Sequence, residues 1–256
     1  MGIEDRMSFD VITKHKLIAQ SFYDHGYSLN QPYKNGAWGA IYLVEKFEDA
    51  LEDPDADLPN TKVKMVAKIA KIAKLTNDPV GNLYLKYEWE KELYYCQYLY
   101  NNYKIGPRFF TAWTTEKLRK DEPITEGNQD LGVIILEKWD ESLPSMTSFS
   151  TINPSLQEKL KQQIKIIHSN NLIHADVVPR NIFIKRDNNN KMIDITIGDM
   201  GSMRHIERFQ DRMRRELKMI YQNHYQYKPE FFLKYKLDFE AILDDPRLLD
   251  YFYILF

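Results

Sequence analysis

Apolar positions follow one rhythm in the first half of the chain and another in the second. Short alternating or continuous apolar runs dominate up to about residue 137, whereas residues 155–170 place Leu156, Leu160, Ile164 and Ile167 four, four and three apart. The pattern predicts a helix over 8–24, two strands over 33–46 around the turn Asn35-Gly36-Ala37-Trp38-Gly39, and a strand over 62–70. It then predicts a helix over 83–101 that ends at Gly106-Pro107, and a strand over 131–137. The run LGVIILE is almost wholly apolar, which suits a strand buried on both sides. Asn153-Pro154 is a start signal for the 155–170 helix. LIHADVVPRNIFI then leads through the turn DNNNK to a strand in IDITIGDMG, and residues from 203 onward read as helical. Strands first and helices later predict an α+β protein with two lobes.

Composition narrows the classes of function. Hydrophobic residues make up 43% and charged residues 28%, enough for a packed core and against wholesale disorder. The net charge of −2, from 35 basic and 37 acidic side chains, offers no excess to hold a nucleic-acid backbone, so no nucleic-acid partner is expected. One cysteine, Cys96, excludes an intrachain disulfide and a multi-cysteine zinc site. No apolar run reaches the roughly 18 residues of a membrane span, and MGIEDRMS carries no secretory signal. Arg6 stands where a myristoylation motif wants Ser or Thr. A cytoplasmic protein without membrane association is expected. The acidic segment 48–60, with Pro54 and Pro59, reads as a solvated loop. The tyrosines of 84–103 read as packing residues, and the basic cluster 204–218 as a solvated helix face.

Three short segments carry chemistry together. Asp176 of His174-Ala175-Asp176 is followed five residues later by Asn181, and eighteen residues further on by Asp199 of Asp199-Met200-Gly201. Two carboxylates and a carboxamide near strand ends supply hard oxygen ligands for magnesium and a carboxylate able to take a hydroxyl proton. In the first half, Gly36 and Gly39 let a hairpin approach phosphates, although an ordinary hairpin turn accounts for them as well. Lys68, at the end of an apolar run, can neutralise phosphate oxygens, with Lys64 and Lys71 as competitors.

In this order the segments resemble the eukaryotic-type protein kinase superfamily over roughly residues 30–205: NGAWGAIY, MVAK, a helical Glu, LEKW, HADVVPRN and DMG. The resemblance implies a two-lobed protein-kinase-like fold with a shortened C-lobe. Residues 1–25 would be an N-terminal helical extension, 26–136 the N-lobe and 140–256 the C-lobe. It implies ATP and Mg2+ as cofactors and phosphoryl transfer to a protein Ser or Thr. Asp176 would be the catalytic base, Asn181 and Asp199 the metal ligands, and Lys68 the α/β-phosphate contact. Glu92 would partner Lys68, with Glu88 and Glu90 as alternatives. Nucleotide contacts would come from Gly36, Ala37, Gly39, Ile41, Val66, Lys68 and Leu136, and from Glu137, Lys138 and Trp139 as the hinge beside adenine. His174 would be structural. ELYYCQYL is similar to the corresponding helix of vaccinia-related kinases, HAD to that of RIO kinases, and IILEKWDESL to kinases of large DNA viruses. A viral or bacterial-effector origin would place the protein in a host cytoplasm.

The chain also departs from that pattern. Lys34 stands at the first glycine of the loop, Ala175 at the Arg that reads an activation-loop phosphate, and Val178 at the Lys two residues after the base. Residues 202–220 hold one hydroxyl residue, Ser202, so the enzyme is expected to be constitutively poised or switched by an activating protein partner. Asp211 is assigned to the buried aspartate that anchors the catalytic loop from a later helix. Two alternatives remain: a small-molecule kinase of the choline or aminoglycoside type, which the short tail opposes, and a pseudokinase scaffold.

Overall fold

Alternation of apolar side chains in the first half closes into one antiparallel sheet, and the later apolar segments pack as helix on sheet. A computed structural model describes residues 12, 15, 17–35, 39–47, 63–73, 79–116, 129–211, 245–247 and 250–251. The class is α+β with antiparallel sheets, and the chain divides into two compact units, Met1–Trp139 and Asp140–Phe256. Among the described residues no helix is long and apolar enough to cross a membrane.

In the first unit the order is α1 (Ile18–Asp24), β1 (Tyr27–Asn35), β2 (Ala40–Lys46), β3 (Met65–Lys71), α2 (Pro79–Tyr103), β4 (Phe109–Thr114) and β5 (Leu131–Glu137). The five strands lie in the order β1-β2-β3-β5-β4. One face of the sheet, with Ala40, Tyr42, Met65, Ala67 and Ile69, packs on Ile18 and Phe22 of α1. The other face, with Ile134, Ala70 and Leu136, packs on Trp89 and Leu93 of α2. Leu131–Ile135 is buried throughout because β5 is covered on both sides.

Several elements differ from the sequence expectation. The first strand begins at Tyr27 rather than 33, and β4 has no counterpart in the apolar pattern, since FFTAWT lacks a polar–apolar alternation. The helix expected over 8–24 is described as a regular helix over Ile18–Asp24, and residues 1–11 lie outside the described residues, as does the acidic segment 48–60. α1 packs into the core of this unit: Phe22 is fully buried edge-on against Trp113, whose indole N–H donates to Ser21 Oγ at 2.5 Å. The tyrosines of α2 divide. Tyr95 is buried, while Tyr84, Tyr87 and Tyr94 are exposed, so packing accounts for only part of that run.

His15 ties the segment before α1 to the sheet. Its Nε2–H donates to the Gln129 carbonyl at 2.6 Å, and its Nδ1 accepts from Leu17 N–H at 3.3 Å, an arrangement that requires the neutral ring. Burial lowers its pKa below the ordinary 6.5, against the opposing pull of the Gln129 bond and of Asp130. The unfolded chain therefore binds this proton more readily than the folded one. The contribution is intact above pH 6.5 and is lost as pH falls below it. Thermal unfolding at pH 7.5 and 5.5 should show a smaller acid loss for His15→Gln than for the parent; equal losses would rule His15 out.

The second unit contains β6 (Glu141–Ser142), α3 (Pro154–Ser169), β7 (Leu172–Ile173), β8 (Ile182–Arg186), β9 (Met192–Ile197) and β10 (Arg204–His205). β6-β8-β9 form one sheet and β7-β10 another. α3 begins where the sequence places it. Asn153 Oδ1 accepts from Ser155 N–H at 2.9 Å, satisfying a first-turn donor, and Pro154 needs no partner there. Leu156, Leu160, Ile164 and Ile167 form its buried stripe. Gln163, on the same stripe, accepts from Ile197 N–H at 3.0 Å and Thr196 Oγ1 at 3.3 Å and donates to Ile195 O, fixing the end of β9. Residues 204–205 are strand, not helix; a helix runs over 206–211, and the rest of the expected basic helix lies outside the described residues.

Candidate active site

Strand alternation places Lys68 on the α2 face of its sheet. Antiparallel register sets Lys68 opposite Ile41 on one side and Ile134 on the other, and sets Val66 opposite Leu43 and Leu136. Directly opposed residues share a face, so Ile41, Val66, Lys68 and Leu136 form one patch that is only partly covered. Lys68 Nζ donates to Glu92 Oε1 of α2, and the two side chains are 18% and 10% exposed. Such shielding makes each charge depend on the other, and it fixes an otherwise mobile ammonium. Glu88 pairs instead with Lys91 at 2.5 Å, and Glu90 is exposed. Lys64 is exposed, while Lys71 closes β3 opposite Leu131.

Gly36 and Ala37 lie outside the described residues. Gly39 is described, and its need for glycine is local: a Cβ there would lie 2.8 Å from the Ile69 carbonyl of β3. In the segment expected to serve as a hinge, Glu137 N–H donates to Arg108 O at 2.8 Å and Lys138 N–H to Lys64 O at 2.7 Å, so these two donors serve the backbone. The Lys138 ammonium donates to Trp139 O at 3.2 Å and sits 5.0 Å over the ring of Tyr33.

The second unit assembles the acidic group. Asn181 stands in a short 3-10 turn just before β8, and its Nδ2 donates to Asp176 Oδ2 at 2.7 Å and to Asp176 O at 3.0 Å. With the amide nitrogen facing Asp176, the planar group turns Oδ1 away from it, leaving a hard oxygen donor on the far side. The Asn181 carbonyl accepts from Gly198 N–H at 2.7 Å. His174, fully buried, donates from Nε2 to Gly198 O at 2.9 Å, which fixes its tautomer and leaves Nδ1 buried without a partner. Both backbone groups of Gly198 are therefore held by the loop that carries Asp176, and Asp199 comes next in a left-handed conformation, φ 55° and ψ 62°. A Cβ on Gly198 would come within 2.1 Å of the Phe183 ring, so only glycine lets β9 pass there.

The segment after Asp199 is also fastened. Met200 and Met203 are buried, β10 pairs with β7 immediately before His174, and Arg204 Nη1 donates to the carbonyls of Gly201 and Met203 at 2.9 and 2.8 Å.

The aspartate that anchors this loop is not Asp211. Asp211 is exposed at the end of the 206–211 helix, whereas Asp250, fully buried, accepts from His174 N–H at 2.8 Å, Ala175 N–H at 2.7 Å and His168 Nε2 at 3.0 Å. Two consecutive N–H groups can converge on one carboxylate because Ala175 adopts φ 64°. Asp250 lies in the apolar stretch LLDYFYILF, and a lone carboxylate in such a run is itself a sign of a buried acceptor. Arg180, a cation in the same segment where Val178 replaces the expected Lys, donates from Nη2 to both oxygens of Asp176 at 2.9 Å.

No protein-family model matches the sequence, and comparison with curated proteins returns no match. Among the described residues no three or more His, Cys, Asp or Glu side chains gather into a metal-binding group. The donor chemistry of Asn181 and Asp199, one carboxamide oxygen and one carboxylate, fits magnesium, which keeps most of its shell for water and phosphate.

Proposed function

We propose that the chain is a magnesium- and ATP-dependent phosphotransferase acting on a protein Ser or Thr, its two units being the lobes of a protein-kinase-like fold. The observation that carries the reading is the hydrogen-bonded chain Asp176–Asn181–Gly198–His174, which links a partly exposed carboxylate to the turn bearing a second one. The shielded Lys68–Glu92 pair beside a half-covered apolar patch supports it from the other unit.

On this reading Asp176 orients the acceptor hydroxyl and takes its proton. Asn181 and Asp199 would hold Mg2+, which neutralises charge on the transferring phosphoryl group. Lys68, kept in place by Glu92, neutralises phosphate oxygens. Nothing in these roles requires a covalent enzyme intermediate; positioning and charge neutralisation suffice. The fastening of residues 199–206 by buried methionines, strand pairing and Arg204 supports a site ordered without a phosphorylated loop.

A calorimetric titration with ATP, with and without Mg2+, tests the reading. The parent should show magnesium-dependent binding, and Asp199→Ala should lose about tenfold of it, the equivalent of one charged contact of about 1.5 kcal/mol. Binding of ATP to the parent that ignores magnesium would defeat the proposal. Labelled ATP with a panel of peptides and small alcohols then identifies the acceptor class.

A further inference from the structure

Asp176 is met by two groups of different exposure. Asn181 is buried: its Nδ2 holds both the side chain and the carbonyl of Asp176, and its own carbonyl is bonded to Gly198. Arg180 is exposed. Its backbone sits in the same short turn, set by the Val178 N–H to Asp176 O and Asn181 N–H to Val178 O bonds. Its side chain folds back across four residues to place Nη2 2.9 Å from each carboxylate oxygen, yet it is 67% exposed where Asp176 is 29% exposed. The guanidinium therefore stands on the solvent side of the carboxylate. An ion pair this exposed is weak enough for a competing ligand to displace.

We infer that Arg180 is a positioning residue that screens Asp176 from water until the acceptor hydroxyl displaces it, so that ATP is spent on the acceptor and not on hydrolysis. The inference rests on the phosphotransferase reading and adds to it a discrimination between two nucleophiles. In the unwanted reaction a water oxygen would attack the γ-phosphorus, its proton would pass to Asp176, and the bond from γ-phosphorus to the bridging oxygen would break to release ADP and phosphate. In the wanted one the acceptor hydroxyl takes the place of water. A bound macromolecular acceptor brings enough contact to displace a weak exposed pair; a single water does not.

The test measures ATP hydrolysis without acceptor and phosphoryl transfer with acceptor on the same preparations. Arg180→Ala should raise the ratio of hydrolysis to transfer about threefold, the scale of a weak exposed pair. Arg180→Lys, which keeps the cation but loses the planar fork, should fall between it and the parent. Hydrolysis and transfer changing by one common factor, or neither changing, would overturn the screening role while the phosphotransferase reading stands. A second measurement needs no turnover. Nitrogen NMR of the Arg180 guanidinium should show hindered rotation in the parent that is released in Asp176→Asn, and free rotation in the parent overturns the inference directly. A hindered guanidinium in a protein that never turns over ATP would overturn the functional reading, and the screening role with it.

Discussion

Asp176→Ala should lower phosphoryl transfer by about a thousandfold, the middle of the range by which a positioned general base contributes, and should leave nucleotide binding nearly unchanged. The separation is expected because Asp176 is bonded to Asn181 and Arg180 and is assigned no ligand role toward the metal. Asp176→Asn is the sharper companion. It keeps the shape but offers Asn181 and Arg180 one acceptor oxygen where they now have two, and it cannot take a proton. Transfer rates with saturating Mg-ATP and acceptor, beside a calorimetric measure of nucleotide affinity, decide the matter. Full transfer by either variant in a preparation free of contaminating kinases would remove Asp176 from the proposed role as base.

Asp250→Ala should strongly destabilise the second unit. The carboxylate now satisfies two consecutive backbone N–H groups and the His168 ring, with no solvent contact of its own. Its loss strands donors that are buried or partly buried, at about 1–3 kcal/mol each, and leaves the left-handed Ala175 without the bonds that offset its conformational penalty of about 1–2 kcal/mol. The low end of that sum, about 4 kcal/mol, corresponds to a fall in melting temperature of roughly 8–16 °C for a chain of this size. Asp250→Asn, retaining one acceptor oxygen, should lose less. Transfer measured well below the lowered midpoint should still be reduced, since the relaxed loop no longer holds Asp176. An unchanged midpoint for Asp250→Ala would show that the loop is fastened by other means.

Both substitutions act on one feature, the left-handed turn at Ala175. A residue with a Cβ adopts φ 64° only where its surroundings compensate. Here the compensation comes from a carboxylate 75 residues away in sequence. The same turn directs Asp176 toward Asn181, so one backbone conformation serves the stability of the unit and the placement of the proposed base.

The sequence alone determined the elements whose cause is local. LGVIILE is a doubly covered strand because its first six residues carry no polar side chain, and Pro154–Ser169 is a helix because its apolar spacing and its Asn153 cap act within a few residues. The identity of the acidic residues in HADVVPRN and DMG, and of Lys68 on its strand, was equally readable, since each stands in a short segment with its own pattern. Tertiary structure decided which partner each of these groups meets. Lys68 meets Glu92 while Glu88 pairs with Lys91, and Asp250 rather than the exposed Asp211 anchors the loop because Asp250 is carried into the interior. β4 and the burial of α1 belong to the same class, fixed by sheet order and by packing on Trp113. The physical reason is range. Helical and strand periodicity are set by neighbours a few residues apart, whereas a buried carboxylate is chosen by donors that only folding brings within about 3 Å.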